Sequence, residues 1–379
     1  MRILFDARKL FDGGIGRYSR DLLSGLSQIK DISLGAIVSR DFIPTSFPPL
    51  KRAKLFFSSA RGYSLRELCW LGRSFNRADF DIYHSPHYVL PGSLSIRSVL
   101  TVHDLIHITH PEKKYYPFLA RYLMNNSFRR ASRIIVGTRA TGELLKSEFD
   151  GSLIEKTRVV EYGHSFIDAD LIESQNSQPP NLGRYLLVVV SQNKPHKGLS
   201  DLVVAFRKLF AEKRGQELFD DCKLVIVGYG AEKLLQPRWM LKEESKQLVV
   251  LGAVADDILG ELYKNSWACV LPSLAEGYGY PALEALRFNK PVICRPLPSL
   301  KEFLETFKKH HSWSPKFIFA DDFTVSALTK ALLSFAEAAR LVESMGGADR
   351  VNPVRFSDFF SARRMAEDTL AIYKEAIYS

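Results

Sequence analysis

Residues 267–286 constrain the fold more than any other part of the sequence. The apolar run Trp267–Val270 is short and leads to Pro272, a pattern typical of a buried strand. A loop with two glycines follows, and Pro281 predicts the first turn of a helix, where a missing N–H costs nothing. The unpaired amides of such a helix, from about Tyr280 to Leu283, would point back over the strand end. The stretch therefore predicts an anion site.

Two carboxylates, Glu276 and Glu284, flank this predicted anion site with seven residues between them. Carboxylates repel phosphate but accept hydrogen bonds from neutral hydroxyls. A phosphate flanked by hydroxyl-bearing rings describes a sugar nucleotide. The alternative is that Glu276 is a loop-surface residue and that Glu284 complements the helix dipole.

The segment Pro-Ser-Leu-Ala-Glu-Gly-Tyr-Gly-Tyr-Pro-Ala-Leu-Glu-Ala, residues 272–285, resembles the E-x7-E signature of retaining GT-B-fold glycosyltransferases of family 4. The resemblance implies that Glu276 contacts the donor sugar and that Glu284 contacts the donor ribose. It also implies that the intervening loop lines the donor site, through Gly277, Tyr278, Gly279 and Tyr280.

The whole chain alternates short apolar runs with helical segments, a pattern typical of parallel strands covered on both faces. In the first half, the strand candidates are Ile3–Ala7, Leu34–Ser39, Phe80–His84, Ser98–His103, Arg133–Gly137 and Arg158–Tyr162. In the second half, they are Tyr185–Ser191, Lys223–Gly228, Gln247–Gly252, Trp267–Pro272, Pro291–Cys294 and Phe317–Ala320. Two successive β/α patterns predict an α/β chain of two doubly wound, Rossmann-like domains.

The domain boundaries follow from a polar stretch in the middle of the chain. Residues 1–170 form the predicted N-terminal, acceptor-side domain, residues 165–183 the linker, and residues 184–355 the nucleotide-sugar-binding domain. A terminal helix is predicted over 358–379. The resemblance implies the GT-B fold, in which the domains face a central cleft and the last helix crosses back to the N-terminal domain.

The composition is that of a soluble globular protein, with 46% hydrophobic and 25% charged residues. The four cysteines include no C-x-x-C pair, which is typical of reduced core residues in a cytosolic protein. A strand beginning at Arg2 predicts no signal peptide, and no apolar run approaches the roughly 20 residues of a membrane span. A cytoplasmic location is therefore expected.

The loop after the first predicted strand contains Gly13, Gly14 and Gly16. Their spacing is not the dinucleotide-binding G-x-G-x-x-G, which argues against a nicotinamide cofactor. A tight turn is one interpretation. The family resemblance implies instead that the backbone at Gly13 and Gly14 approaches the donor diphosphate from the opposite domain.

His103 lies at the carboxyl end of a predicted parallel strand, the usual place for ligands in such sheets. The resemblance implies that this histidine contacts the donor sugar; the alternative is a hydrogen-bonded structural histidine. His103, His107 and His110 do not predict a metal site, because a strand end followed by Pro111 does not place them on one helix face. No cofactor is expected.

Lys197 precedes a predicted helix at another strand end, a position suited to phosphate. The segment 191–198 resembles the family motif Gly-Arg-x-x-Pro-x-Lys-Gly, whose arginine and lysine hold the diphosphate. Lys197 matches the motif lysine, but Gln192 occupies the arginine position and carries no charge. Lys194 is either a substitute for that charge or a solvated surface lysine.

The segment Leu251-Gly-Ala-Val254-Ala-Asp256 looks like the family loop whose backbone, around Val254, contacts the base. Asp256 is predicted to cap the helix that follows. Taken as a local pattern alone, the segment predicts only a strand, a cap and a helix.

The implied reaction moves a hexosyl unit from a nucleotide-activated sugar to a saccharide or lipid-linked saccharide hydroxyl with retention, without a metal. His103, Lys197 and Glu276 form the implied catalytic set. GDP-mannose is the favoured donor, because the opening Gly-Gly-Ile-Gly-Arg-Tyr and the segment His-Asp-Leu-Ile look like bacterial mannosyl- and rhamnosyltransferases of surface polysaccharides and lipopolysaccharide. The alternatives are a sugar-nucleotide epimerase of the same architecture and a catalytically silent nucleotide-binding protein.

The formal net charge is +10, and most of the excess lies in the first half, where residues 1–182 carry 25 Lys and Arg against 18 Asp and Glu. Residues 51–77 and 113–133 combine these cations with aromatic residues. This combination suits an anionic lipid surface, so peripheral binding at the inner face of the plasma membrane is predicted. No nucleic-acid motif is present, and nucleic acid is not an expected partner; a solvated basic face is the alternative.

Overall fold

In the computed structural model, the described residues are 1–75, 77–151, 153–164, 181–192, 194–228, 230, 247–310, 316–344 and 360–378. The chain divides into two compact units, which we call unit 1 (Met1–Phe166 with Phe356–Ser379) and unit 2 (Ile167–Arg355). Each unit is a parallel α/β domain.

Unit 1 contains a seven-stranded sheet in the order β3-β2-β1-β4-β5-β6-β7. All neighbouring strands are parallel. The central strands are buried on both faces, which explains their continuous apolar runs. The strands are β1 (Arg2–Asp6), β2 (Ser33–Ser39), β3 (Lys54–Ser58), β4 (Ile82–Ser85), β5 (Ser98–Val102), β6 (Arg133–Val136) and β7 (Thr157–Val159).

The helices described in unit 1 are α1 (Gly13–Leu26), α2 (Leu65–Cys69), α3 (Ile106–Thr109), α4 (Tyr116–Arg130), α5 (Arg139–Glu148), α6 (Leu153–Lys156) and α13 (Ala362–Tyr378). The last helix, α13, packs against α1. The two helices approach so closely that a Cβ at Gly25 would lie 2.2 Å from the carbonyl oxygen of Ala362. The end of the chain is therefore part of the unit that contains its beginning.

Unit 2 contains a six-stranded parallel sheet in the order β10-β9-β8-β11-β12-β13. Its strands are β8 (Arg184–Val189), β9 (Cys222–Val227), β10 (Leu248–Leu251), β11 (Ala268–Leu271), β12 (Val292–Cys294) and β13 (Phe317–Phe319). Its described helices are α7 (Leu199–Ala211), α8 (Lys213–Phe219), α9 (Asp256–Asn265), α10 (Tyr280–Arg287), α11 (Pro298–His310) and α12 (Val325–Ser344). A core of aliphatic and aromatic residues fills the space between the sheet and helices α7 and α12.

All twelve predicted strands are present, and β3 is a further strand among the described residues that the sequence pattern did not predict. The predicted linker lies outside the described residues over 165–180, as do residues 358, 359 and 379 of the predicted terminal helix. Cys222, Cys269 and Cys294 are buried, Cys69 is exposed, and all four are free thiols. Among the described helices, none combines the length and the apolar character needed to cross a membrane.

Candidate active site

The order of the strands in unit 2 places a crevice site at the carboxyl ends of β8 and β11. The chain proceeds from β8 to β9 on one side and returns to β11 on the other. Loops that leave a parallel sheet at such a switch point diverge and leave room for a ligand. The loop after β8 contains Lys197, and the loop after β11 contains Glu276.

Lys197 ends a short 3₁₀ helix, Pro195–Lys197, and is followed by Gly198 with a φ of +63°. A Cβ at Gly198 would lie 2.2 Å from the carbonyl oxygen of Pro272, in the loop after β11. The amide of Leu274 donates to the carbonyl of His196 at 2.7 Å. These contacts bind the two switch-point loops to each other, and glycine is required at position 198.

The side chains of Lys197 and Glu276 meet directly. Nζ of Lys197 donates to Oε1 of Glu276 at 2.7 Å, and both side chains are mostly buried, with exposures of 17% and 12%. The hydroxyl of Ser273 donates to the same carboxylate oxygen at 2.7 Å, while Ser299 donates to the Glu276 carbonyl at 3.0 Å. The predicted phosphate cation and the predicted sugar-binding carboxylate therefore occupy one site.

The anion site predicted at the start of α10 differs from the structure. Helix α10 begins at Tyr280 after Gly279, so Pro281 is the second helical residue and not the first. The amides of Ala282 and Leu283 both donate to the carbonyl of Gly279, at 2.9 and 3.4 Å. Because Pro281 also lacks an N–H, the expected row of open amides from Tyr280 to Leu283 is not present as predicted.

Helix α7 provides the better anion site. The amides of its first three residues, Leu199, Ser200 and Asp201, have no acceptor within the described part of the chain. Gly198 accepts from Leu202 at 3.0 Å as the helix cap. An α-helix of 13 residues with open amides attracts anions at this end, next to Lys197.

Glu284 is buried at 3% exposure on α10. The phenolic hydroxyl of Tyr263 donates to its Oε2 at 2.8 Å, which orients the carboxylate. In the preceding loop, Tyr278 is buried and its ring lies 5.7 Å from that of Tyr280. Gly279 has a φ of +90°, which favours glycine, and a Cβ there would lie 2.6 Å from Leu300 Cδ2, the end of a flexible side chain.

Two other predicted donor-binding residues lie at the same carboxyl edge of the sheet. Val254 is half-buried in the loop between β10 and α9. Gln192 is exposed in the loop after β8.

The predicted cap by Asp256 is wrong: Ala255 is the N-cap, Asp256 is the first helical residue, and no side chain caps the helix. Asp256 and Asp257 still lie in the first turn, where acidic residues favour the helix dipole.

In unit 1, the switch point lies between β1 and β4. Gly13 opens α1 with a φ of +48°. A Cβ at Gly14 would meet no heavy atom of the described chain within 4 Å, whereas one at Gly16 would lie 2.7 Å from the Leu10 carbonyl oxygen. The fold therefore requires glycine at positions 13 and 16 but leaves open space at position 14.

His103 follows β5 with both ring nitrogens bonded inside unit 1. Nε2 lies 2.8 Å from the Pro86 carbonyl oxygen and must donate to it, and Nδ1 then accepts from the hydroxyl of Tyr162 at 2.8 Å. Burial lowers the pKa of His103, which keeps the ring neutral. In this arrangement, the imidazole offers no spare nitrogen to a ligand. Nδ1 of His107 lies 3.1 Å from the Tyr88 hydroxyl.

A buried polar chain runs behind His103 and was not predicted from the sequence. The Tyr18 hydroxyl lies 2.9 Å from Thr101 Oγ1, which lies 2.9 Å from His84 Nε2, and His84 Nδ1 bonds the hydroxyl of Tyr373 on α13. The ring of Tyr18 packs edge-on against His103, with 4.9 Å between centroids. The C-terminal helix is thereby connected to the strand end that holds His103.

A second unpredicted group lies at the unit 1 switch point. Arg8 Nη2 bonds Asp6 Oδ2 at 2.5 Å and also bonds Glu67. Burial would raise the pKa of Asp6, but the charge of Arg8 outweighs it and lowers that pKa to about 2; burial raises the pKa of Glu67. Asp6, Glu67 and His87 offer atoms close enough together for a metal ion. The guanidinium of Arg8 already supplies the positive charge there.

Each unit is a doubly wound domain with a parallel sheet, and unit 2 brings a lysine and a carboxylate together at its switch point. The class defined by these features is that of α/β enzymes with the GT-B architecture. Two family models match the chain: "Glycosyl transferases group 1" over residues 172–350 and "Glycosyltransferase Family 4" over residues 12–163. The chain belongs to the GT-B glycosyltransferases.

Curated relatives agree with the family models. The chain is 28% identical to O-antigen chain mannosyltransferase B of Escherichia coli, over 76% of this chain and 80% of the relative. It is 22% identical to O-antigen chain mannosyltransferase RfbU of Salmonella typhimurium, over 77% and 80%. Among solved structures, sucrose-phosphate synthase from Thermosynechococcus elongatus matches with a TM-score of 0.70 at 15% identity, over 100% of this chain and 99% of that one.

A further solved structure, Anabaena Alr3699/HepE in complex with UDP and glucose, matches with a TM-score of 0.63 at 16% identity. The match covers 99% of this chain and 100% of that one. At these identities, the structural likenesses establish the fold alone.

Proposed function

We propose that this glycosyltransferase moves a mannosyl or similar hexosyl unit from a nucleotide-sugar to a saccharide or lipid-linked saccharide in bacterial surface polysaccharide synthesis. The observation that carries the proposal is the contact between Lys197 and Glu276 at 2.7 Å, beside the open amides of α7. A cation suits the diphosphate, and a carboxylate suits the sugar hydroxyls that adjoin it. The names of the two O-antigen mannosyltransferase relatives support mannose, and hence GDP-mannose, as the donor.

The reaction that these residues favour proceeds with retention. The bond from the anomeric carbon to the phosphate oxygen breaks, and a bond to the acceptor oxygen forms on the same face. The leaving phosphate takes the acceptor's proton. Its growing charge is stabilised by Lys197 and by the first amides of α7, as developing charge is in other transferases. Glu284, oriented by Tyr263, binds the ribose, and Val254 lies where the base is contacted.

His103 has a different role from the one first assigned to it. Because both ring nitrogens are bonded within unit 1, we propose that the neutral ring fixes the shape of the strand end and contacts the sugar only if the bond to Tyr162 opens. Gly13 and Gly14 remain proposed diphosphate contacts. No metal takes part in this scheme.

Membrane association is a separate part of the proposal and places the enzyme peripherally at the inner face of the plasma membrane. Residues 51–77 support it less than expected, because Phe56 and Phe75 pack together in unit 1, with 5.1 Å between centroids. Helix α4 supports it better. On and just before it, Tyr115, Phe118, Leu119 and Tyr122 are exposed, and Lys113 lies 5.8 Å from the Tyr115 ring. Exposed aromatics beside cations suit an anionic lipid surface.

The test of the proposed function is turnover with defined donors. Purified protein is incubated with GDP-mannose, UDP-glucose or dTDP-rhamnose, a mannose-containing acceptor oligosaccharide, and EDTA to remove free metal ions. We expect nucleoside diphosphate release that depends on the acceptor, and a product whose new linkage has the same anomeric configuration as the donor. Conversion of the donor to another sugar without acceptor would favour an epimerase. Nucleotide binding without turnover on any acceptor would favour a silent binding protein.

A further inference from the structure

Arg295 is a fully buried arginine with an incomplete set of hydrogen bonds. It directly follows β12, at the same carboxyl edge as Lys197 and Glu276, and its side chain is 0% exposed. Nη2 donates to Asp201 Oδ2 at 2.6 Å, but Nε and Nη1 have no hydrogen-bond partner in the described part of the structure. Buried arginine N–H groups are almost always paired. The unsatisfied groups indicate a missing acceptor.

The open side of the guanidinium faces the start of α7. Nη1 lies 3.2 Å from the position that a Cβ of Gly198 would occupy. Gly198 is the residue before the three open amides of α7, and Lys197 precedes it. Only the backbone of a glycine therefore separates Arg295 from the proposed diphosphate site.

Positive charge exceeds negative charge around the start of α7. A guanidinium beside the positive end of a helix is unfavourable, and Lys197 adds a second cation. Asp201 offsets part of this charge, although its side chain is 36% exposed, and Lys197 is paired with Glu276. Asp322 is also near enough to sense Arg295, but the first cause of its lowered pKa is its hydrogen bond with Thr324. An anion at the start of α7 would complete the arrangement.

We propose that Arg295 is the second cation of the diphosphate site and supplies, from the end of β12, the charge that Gln192 does not. In the motif that residues 191–198 resemble, position 192 is an arginine. Here Gln192 is exposed and uncharged, while the buried Arg295 places Nη1 3.2 Å from the Cβ position of Gly198. Arg295 acts on the diphosphate across Gly198 and is a positioning residue. The inference rests on the proposed nucleotide-sugar function.

Moving the charge tests this inference. The variants are Arg295→Met, Gln192→Arg, their double variant and Asp201→Asn, with affinity measured calorimetrically for GDP, UDP, guanosine, uridine and inorganic pyrophosphate. We expect Arg295→Met to weaken nucleoside diphosphate binding about tenfold or more and to leave nucleoside binding unchanged, because only the attraction between the guanidinium charge and the diphosphate is lost. Gln192→Arg should restore the affinity of Arg295→Met to within about threefold of wild type, because it returns a charge to the site.

Asp201→Asn separates a ligand-directed role from a structural one. If Arg295 serves the diphosphate, removing the competing carboxylate should leave GDP or UDP affinity unchanged or tighter. If Arg295 only anchors α7 through Asp201, both variants should lose affinity and melting temperature together, and Gln192→Arg should restore neither. That result would overturn the inference.

Gln192→Arg alone covers the case in which Arg295→Met does not fold. With Arg295 already supplying the charge, this single variant should change affinity by less than about threefold, whereas a site that lacks a cation should gain about tenfold. Such a gain would overturn the inference. A folded Arg295→Met variant that binds GDP or UDP as tightly as wild type would also overturn it. Neither result would contradict the proposed function. Wild type that binds pyrophosphate in an Arg295-dependent way but no nucleotide would instead overturn the proposed function.

Discussion

The ammonium of Lys197 and the carboxylate of Glu276 lie 2.7 Å apart and join the loops that follow β8 and β11. Without a ligand, each group neutralises the other inside a mostly buried site. A phosphate at the start of α7 would compete with Glu276 for Lys197 and make the carboxylate oxygen available to a sugar hydroxyl. Donor binding and exposure of the sugar-binding carboxylate are thus expected to occur together.

Lys197→Ala should lower kcat about 100-fold or more, the scale on which loss of a group that stabilises developing charge is felt. Lys194→Ala is the matched control, three residues earlier in the same loop, and should retain most activity. Steady-state kinetics with saturating acceptor measure both. Equal losses at the two positions would show that the loop has been matched to the family motif incorrectly.

Glu284→Ala should weaken nucleotide binding, whereas Glu276→Ala should lower turnover. Loss of Glu284 removes a buried acceptor proposed for the ribose and should weaken nucleoside diphosphate binding by about 1.5–3 kcal/mol. Loss of Glu276 should spare that affinity and lower turnover of the sugar nucleotide. Calorimetry with the nucleoside diphosphate distinguishes the two. An unchanged affinity in Glu284→Ala would end the ribose assignment.

Gly14→Ala should leave the fold intact and reduce activity. The added methyl group meets no atom of the described chain, and alanine is favoured over glycine in a helix by roughly 0.5–1 kcal/mol. The melting temperature should therefore hold or rise, while donor affinity falls if the diphosphate approaches this backbone. Gly16→Ala is the contrasting control and should lower the melting temperature, because its Cβ would collide with the Leu10 carbonyl. Full activity in Gly14→Ala would remove this loop from the site.

The stability of unit 1 should depend on pH through two buried histidines. Burial lowers the pKa of His84 and of His87 to about 3, although the Asp6 carboxylate opposes the shift at His87. The unfolded chain binds these protons near pH 6.5, so this stability is complete above about pH 6.5 and is lost as pH falls toward 3. Each histidine contributes at most about 1.4 kcal/mol per pH unit.

Thermal melts of wild type and His84→Asn between pH 7.5 and 4.5 measure this effect. The wild-type melting temperature should fall on acidification, and the fall should be smaller in His84→Asn. The exposed His110 gives a control, since His110→Asn should follow the wild-type curve. Parallel curves for His84→Asn and wild type would contradict the assignment.

Vesicle binding should depend on the exposed aromatics of α4. Phe118 and Tyr122 are 78% and 69% exposed, so Phe118→Ser with Tyr122→Ser should cost little stability while weakening co-sedimentation with anionic vesicles. Reversal of Lys51, Arg52 and Lys54 to Glu should weaken it as well, by about 1 kcal/mol for each cation near the surface. Equal binding to neutral and anionic vesicles at low salt would exclude an electrostatic surface and point to a soluble acceptor.

The fold was largely predictable because parallel strands covered on both faces have unbroken apolar runs. Strand β3, Lys54–Ser58, was missed because it is an edge strand with a lysine at its start. Its Phe56 faces Phe75 and Phe80 in the core. From sequence alone, these aromatics among arginines resembled a lipid-binding surface, since one-dimensional patterns do not reveal which face of a strand is covered.

The candidate site was predicted by motif where its residues are near in sequence, and missed where they are not. Glu276 and Glu284 were proposed from their spacing, and their roles stay predictions, whereas Arg295 and Asp201 are 94 positions apart and meet only in the folded sheet. The open amides lie on α7 and not on α10, because the amides of Ala282 and Leu283 both bond to the Gly279 carbonyl in the first turn of α10. A sequence pattern does not fix which amides of a first turn are bonded.

The packing of α13 against α1 affects how the protein is made. Unit 1 begins ahead of unit 2 in the sequence, yet it needs Tyr373 beneath His84 and Ala362 against Gly25, and both of these residues follow unit 2. Unit 2 is continuous in sequence, so its chain is complete earlier during synthesis. Synthesis of unit 1 therefore starts before that of unit 2 and is completed after it. Nascent chains stalled before residue 360 should present a protease-resistant unit 2 beside a protease-sensitive unit 1.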